Sequence, residues 1–306
     1  MSKTPATTAR ATRRLLVTYL STQIDELRAG ELGARIERPD AVHRMRVASR
    51  RLRSSLATFR PLFSGSRVQR LRAELQWLGT VLGPVRDVEV MRAHLHGTAA
   101  ALAADADFTE ILAELDHELA ERHSRAYQDL VTVMGGPRYA ALLAALEAFV
   151  IKPPWVKRTA KAAARHTLPA LVGRACARVD RAASMASTAS MAEGALEAGG
   201  VQLHEVRKVA KRARYAAEVT GPTATSAAYS LAARMEELQA VLGRHQDSLM
   251  VRALLQDLAH RMTGRQAFAL GLMTRAEQEA DESFLAAYHV ALAAASTDEV
   301  RAWTLR

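Results

Sequence analysis

The feature that most constrains the fold of this chain is a basic segment that occurs twice. Residues 42–53 read VHRMRVASRRLR, and residues 203–214 read LHEVRKVAKRAR. His43 and His204 occupy the same position in the two segments and lie 161 residues apart. Such a match between distant segments predicts that the two parts of the chain fold alike.

A second pair of segments repeats in the same order. Residues 78–83 read LGTVLG and are followed by Asp87, while residues 238–243 read LQAVLG and are followed by Asp247. The offset of 160 residues nearly equals the first one, which supports a single internal duplication. We interpret both aspartates as structural: each follows a Leu-Gly chain bend or cap and forms a salt bridge that holds the basic helix in register.

Composition and periodicity predict an all-α protein. Aromatic residues make up only 5% of the 306 residues, and stretches rich in Val, Ile and Thr, which favour strands, are scarce. The apolar periodicity indicates four helices in each half. They lie near 10–30, 40–62, 67–97 and 105–133, and near 157–186, 200–220, 226–261 and 264–295. Glycines such as Gly30, Gly33 and Gly264 are interpreted as breaks between helices. We therefore expect two four-helix bundles related by pseudo-two-fold symmetry.

The boundary between the halves is predicted near residue 152. Residues 138–151 form an additional apolar helix that stops before two prolines, and we expect this helix to connect the halves. The first half then comprises residues 1–152 and the second half residues 153–306.

Several features favour a soluble, cytoplasmic protein. The longest apolar stretch, residues 139–151, is shorter than the roughly 20 residues needed to cross a bilayer. Cys176 is the only cysteine, so there is neither a disulfide framework nor a thiolate metal cluster. The formal charge of +10 indicates an acidic partner without identifying it.

Each basic segment places its cations on one face of a helix. At about 100° per residue, four cationic or titratable positions in each copy fall within about 80° of one another. These positions are His43, Arg46, Arg50 and Arg53, and then His204, Arg207, Lys211 and Arg214. Residues 41–62 contain no acid, although solvated helix faces usually mix acids with bases because like charges repel.

The basic faces therefore predict a polyanionic ligand. Ten residues of helix span about 15 Å, which suits several consecutive phosphates. Arginine can bind phosphate oxygens through two parallel hydrogen bonds and stays charged. A bound polyanion would raise the pKa of the two histidines, so binding should strengthen on acidification.

The doubled motif resembles the CHAD family, the conserved histidine α-helical domain, over essentially the whole chain. The resemblance implies two four-helix bundles around a basic central groove or cavity that binds inorganic polyphosphate, and location at polyphosphate granules. The ligand-binding residues that it implies are His43, Arg46, Arg50, Arg51, Arg53, His204, Arg207, Lys208, Lys211, Arg212 and Arg214. Arg13 and Arg165, at the starts of the first helix of each half, are further candidates for the basic lining. The ExExK string of the hydrolase domain that some relatives carry does not occur, so we expect a standalone binding domain, with other granule proteins as possible partners.

Three other functions stay open at this point. Binding of nucleic acid requires little more than charge, but apart from Tyr215 the basic helices lack aromatic residues for base stacking. A metal-dependent polyphosphate hydrolase would need carboxylates to hold Mg²⁺, and the basic faces contain none. Metal binding by the paired histidines would be opposed by the surrounding arginines. We expect no catalysis, no cofactor and no metal site.

Overall fold

The computed structural model describes residues 9–102, 106–156, 168–190, 196–221, 225–260 and 264–305. The first half contains the helices α1 (Ala9–Arg35), α2 (Ala41–Thr58), α3 (Arg67–Leu102), α4 (Ala106–Met134) and α5 (Pro137–Ile151). The second half contains α6 (Leu168–Ser190), α7 (Leu196–Thr220), α8 (Thr225–Ala259), α9 (Arg265–Asp281), α10 (Phe284–Ala294) and α11 (Asp298–Arg301). Within these ranges there is no strand, only one isolated bridge between Phe63 and Trp155. The prediction of an all-α protein is confirmed.

Helix α2 shows how the apolar pattern sets the packing. Met45, Ala48, Leu52 and Leu56 recur every three or four residues and are almost fully buried, each large side chain contributing about 1.5–3 kcal/mol on burial. The predicted helix 40–62 was too long, because α2 ends at Thr58 and a short 3-10 turn follows. Proline at position 61 has no N–H to continue the α-helical hydrogen bonds.

The prediction that glycines break the first helix was wrong. Helix α1 continues through Gly30 and Gly33 to Arg35. A Cβ on Gly30 would lie 2.5 Å from Cγ of Met45, and a Cβ on Gly33 would lie 3.0 Å from Cβ of Ala41. These glycines let the backbones of α1 and α2 approach each other, which a larger residue would prevent.

The predicted helix 264–295 is two helices in the structure. Helix α9 ends at Asp281 and α10 begins at Phe284. The N–H of Glu282 bonds to the carbonyl of Glu279 rather than to that of residue 278, so the α-helical pattern stops there. After this break the ring of Phe284 stacks on His245 at a centroid distance of 3.8 Å.

Both hydrophobic clusters draw on both sides of residue 152. The larger cluster joins Leu27 and Leu52 with Val206 and Leu238. The smaller one joins side chains of α3, α4, α8 and α9, namely Leu95, Leu115, Leu255 and Leu270 among others. Between the halves, α2 packs against α7 and α3 against α8, so corresponding helices meet. The halves share their cores, while the domain boundary and the pseudo-two-fold relation stay predictions.

The hydropathy of the helices bears on membrane insertion. Across the parts of the chain that the structure describes, no single helix is long and apolar enough to span a bilayer. One pair of helical segments, Ala113–Met134 and Pro137–Ile151, passes the same test of length and composition but is bent by 61°.

Candidate functional site

The basic faces of α2 and α7 lie against each other. Arg50 on α2 donates a hydrogen bond from Nε to Oη of Tyr215 on α7 at 2.9 Å. Tyr215 is buried, and the guanidinium groups of Arg50, Arg51 and Arg214 lie 6.0, 5.6 and 5.8 Å from its ring centroid. The structure thus brings the two predicted basic segments together around one aromatic ring.

Four cations form the centre of the site, which we call the central cluster: Arg46, Arg50, Arg207 and Lys211. Burial, followed by the charges of Arg207, Arg50 and Arg46, lowers the pKa of Lys211 to about 7. Burial is also the first cause of the lowered pKa values of Arg46 and Arg207. Such clustering of like charge is unfavourable without a counter-charge, and it is typical of functional sites.

The repeated glycines make room for two of these arginines. A Cβ on Gly83 would lie 3.1 Å from Nη1 of Arg46, and a Cβ on Gly243 would lie 2.9 Å from Nη2 of Arg207. Both glycines lie inside long helices, α3 and α8, so the predicted Leu-Gly chain bend was wrong. Their function in the fold is to let a guanidinium lie against the helix backbone.

The repeated aspartates accompany the same arginines. Asp87 forms the predicted salt bridge, with Oδ1 at 3.4 Å from Nη2 of Arg46. Burial raises the pKa of Asp247, while Arg207, His94 and Lys211 oppose that rise. Each aspartate therefore compensates part of the charge of the central cluster.

The two histidines have different surroundings. Burial, followed by the charges of Arg86 and Arg50, lowers the pKa of His43. His204 is exposed, and its Nδ1 lies 3.2 Å from Oε1 of Gln246. The predicted rise in histidine pKa concerns the ligand-bound protein, and the free protein starts from a lowered value at His43.

Besides Arg46, three of the predicted ligand-binding cations have acidic partners in the chain. Glu218 lies 3.2 Å from Nε of Arg51 and 3.0 Å from Nε of Arg214. Glu205 lies 2.6 Å from Nζ of Lys208. In these three cases a ligand phosphate would have to compete with a carboxylate.

Other predicted cations have no such partner. In the described ranges, no carboxylate lies at ion-pair distance from Arg50, Arg53, Lys211 or Arg212. Arg53 and Arg212 belong to different helices, and burial followed by the charge of Arg212 lowers the pKa of Arg53. The positive charges of these side chains are therefore the ones that an external anion would neutralise most directly.

Sequence reasoning missed two arginines of α3 and one glutamine of α8. The positive charge of Arg86 helps to lower the pKa of His43, and that of Arg72 helps to lower the pKa of Arg53. Gln246 accepts a hydrogen bond of 2.6 Å from Nη1 of Arg207. A signal for two of them was present, because Arg86 and Gln246 each immediately precede the repeated aspartate.

Of the two additional candidates, Arg13 does not join the central cluster. Arg13 is exposed, with its Cζ 5.2 Å from the ring centroid of Trp155 and its Nη2 3.5 Å from the carbonyl of Val156. These contacts are with the segment after α5, not with α2 or α7. Arg165 lies outside the described residues.

The carboxylates and histidines of the described ranges include no group of three or more arranged to hold a metal ion. The chemistry that this arrangement supports is the binding of an anion by several guanidinium and ammonium groups at once.

Most of the chain, including α2 and α7, matches a known protein family. Residues 18–256 match the family model of the CHAD domain. Two uncharacterized proteins of Mycobacterium tuberculosis, from strains CDC 1551 and H37Rv, are each 31% identical over 264 residues. The match covers 86% of this chain and 49% of each relative, so the chain spans about half the length of these relatives.

Two solved structures have a similar fold. PptA from Streptomyces chartreusis has a TM-score of 0.74 and 23% identity, with 91% of this chain and 98% of PptA covered. The crystal structure of the CHAD domain from the plant Ricinus communis has a TM-score of 0.68 and 23% identity, with 92% and 91% covered. At this level of identity the likeness concerns the fold.

Proposed function

The chain belongs to the CHAD domain family, and we propose that it binds inorganic polyphosphate at the central cluster between α2 and α7. The observation that carries the proposal is the gathering of Arg46, Arg50, Arg207 and Lys211, whose charges the nearby aspartates compensate only in part. Like charges at this proximity raise the free energy of the unliganded protein. A polyanion would supply the missing negative charge, and family membership favours polyphosphate as that polyanion.

A chain of phosphates fits the site better than a single anion. The basic face of each helix extends over about 15 Å, and α2 and α7 present their cations to the same region. Guanidinium groups bind two phosphate oxygens at once, whereas the ammonium of Lys211 contributes a point charge. Successive phosphates can therefore contact cations of both helices along their length.

The buried state of Tyr215 argues against nucleic acid as the preferred ligand. Single-stranded nucleic acids are usually held by bases stacked on exposed aromatic rings. Tyr215 is only 1% exposed and accepts a hydrogen bond from Arg50, so its ring is not accessible to a base. Nucleic acid would then bind through its backbone charge alone, and without sequence specificity.

We infer further that the protein binds polyphosphate without hydrolysing it. Hydrolysis would need carboxylates free to hold Mg²⁺ and to position a water molecule, whereas Asp87 is bound to Arg46 and Asp247 lies among cations. Incubation with polyphosphate and Mg²⁺ or Mn²⁺ should release no phosphate above a control without protein. Turnover that disappears in Asp247→Asn would overturn this inference.

Binding to the polymer would also place the protein at polyphosphate granules, where other granule proteins could be neighbours. A fluorescent fusion should co-localise with granules in cells that accumulate polyphosphate and become diffuse in cells that do not. A diffuse signal in both would contradict granule association.

The ligand is tested directly by comparing long-chain polyphosphate, single-stranded DNA and duplex DNA at two salt concentrations. We expect polyphosphate to bind most tightly at both concentrations. Equal affinity for all three polymers would show that the site selects only for charge, and would contradict the assignment to polyphosphate.

A further inference from the structure

A basic pocket lies between α6 and α7. Its volume is about 260 Å³, and its walls include Arg178 and Arg181 of α6 and Arg212 of α7. Arg178 and Arg181 are three residues apart, so they project from one face of their helix. Neither arginine belongs to the repeated basic segments.

The acids near this pocket are already engaged. Asp180, which lies between the two arginines in sequence, accepts hydrogen bonds from Arg301 at 2.7 and 2.8 Å. Glu205, which lines the pocket, is bound to Lys208 at 2.6 Å. Over the residues that the structure describes, no carboxylate is at ion-pair distance from Arg178 or Arg181. The pocket therefore has an unbalanced positive charge.

Arg53 links the pocket electrostatically to the central cluster. Arg53 interacts electrostatically with Arg50 of the cluster and with Arg212, and Arg212 is itself part of the pocket wall. Cationic side chains thus follow one another from Arg50 through Arg53 and Arg212 to Arg181.

The other side of the cluster is closed by an acid. Glu218 binds Arg51 and Arg214 and also accepts a hydrogen bond of 2.9 Å from Oη of Tyr19. The position that corresponds to Glu218 in the first half is occupied by Ala57, so α2 carries no carboxylate at the equivalent point. The two repeats therefore differ in charge at these equivalent positions.

We propose that polyphosphate longer than the central cluster leaves it past Arg53 and Arg212 and is bound by Arg178 and Arg181 as a second anion subsite. This inference rests on the proposed function. It assigns a direction to the bound chain and a dependence of affinity on chain length. Short chains occupy the central cluster alone, whereas long chains gain the additional charge-assisted hydrogen bonds of the subsite.

The test uses two double variants. In one, Arg178 and Arg181 are both replaced by Gln; in the control, Arg122 and Arg125 on α4 are both replaced by Gln. Both variants lose two arginines and the same net charge. In the control, Arg122 is partly buried and paired with Glu118, and Arg125 is paired with Glu121. Binding of tripolyphosphate and of long-chain polyphosphate is measured over a range of salt concentrations, and circular dichroism and thermal melting check that both variants fold.

For the variant of the subsite, we expect the affinity for long chains to fall about tenfold relative to the control. The slope of log affinity against log salt concentration should become shallower by roughly one to two units. Its affinity for tripolyphosphate should stay within about twofold of the control. Equal affinity of both variants for long chains would overturn the subsite and leave the proposed function intact. Failure of the unmodified protein to bind either ligand would instead overturn the proposed function.

Discussion

The central cluster and the opposite ends of α3 and α8 differ in whether their cations have acidic partners. At those ends, which we call the distal region, His94 lies 2.9 Å from Glu277, and Asp116 lies 3.1 Å from Arg92 and 3.0 Å from His96. Cations there have acidic partners. In the central cluster, by contrast, Arg50 and Lys211 have none within ion-pair distance among the residues described.

This difference shows which charges hold the fold together and which are left for a ligand. The side chain of Glu277 is only 4% exposed, and its hydrogen bonds with His94, Thr98 and Ser248 outweigh burial, so that its pKa is lowered. Since His94 belongs to α3 and Glu277 to α9, the pair joins the two halves. The distal region stabilises the packing of the two halves. In the central cluster, by contrast, repulsion between like charges destabilises the free protein, and a bound anion would relieve that repulsion.

The largest expected effect is the loss of binding in the central cluster. The double variant Arg50→Glu with Lys211→Glu should bind polyphosphate at least about a hundredfold more weakly, because two contacts become repulsive. It should remain folded, since like-charge repulsion within the cluster is relieved. Titration with polyphosphate and circular dichroism measure the two effects, with Arg122→Glu and Arg125→Glu as the control. Unchanged binding would place the site elsewhere.

The distal region should respond in the opposite way. Replacement of Glu277 by Ala leaves His94 and Thr98 without their buried acceptor and should lower the free energy of unfolding by about 2–3 kcal/mol. Affinity for polyphosphate should stay within about twofold at a temperature where the variant is folded. Urea denaturation gives the stability, and a large loss of affinity in the folded variant would show that the two regions are not separate.

The pH dependence of binding sharpens the comparison. Free Lys211 has a pKa of about 7, and a polyanion raises it towards its ordinary value. The complex therefore holds more protons than the free protein above about pH 7, and affinity falls as the pH rises. From pH 7 to pH 9 we expect roughly a tenfold loss, which Lys211→Met should reduce. Titration calorimetry in two buffers counts the protons taken up, and release of protons on binding would contradict the expected sign.

The smallest effect is expected at Asp87, whose side chain is half exposed in its salt bridge with Arg46. Replacement by Ala should lower the free energy of unfolding by about 0.5 kcal/mol, as for other exposed ion pairs. Binding should not weaken, because the change removes negative charge beside the cluster. Weaker binding together with normal stability would show that Asp87 positions Arg46 for the ligand.

Much of the fold and of the site could be predicted because it depends on local periodicity. The spacing of Met45, Leu52 and Leu56 predicts both that α2 is a helix and which face is buried, and the same geometry places Arg46 and Arg50 on another face. The role of Gly30 could not be predicted in this way. Whether a glycine ends a helix or allows close packing depends on what faces it, and Gly30 faces Met45 of the next helix.

The charge balance of the site was also beyond sequence reasoning. Arg51 and Arg214 belong to basic faces, yet both bind Glu218, which lies on α7 and reaches Arg51 only across the interface between the halves. The acid-free stretch in the sequence of α2 therefore did not imply acid-free surroundings for every arginine. The charge of Arg86 on α3 likewise helps to lower the pKa of His43 on α2.

A crystal structure of the complex with polyphosphate tests the central claim most directly. We predict phosphate oxygens at charge-assisted hydrogen-bond distance, about 2.7–2.9 Å, from Arg50 and Lys211, between α2 and α7. Polyphosphate bound on another surface, with no phosphate at the central cluster, would contradict the account.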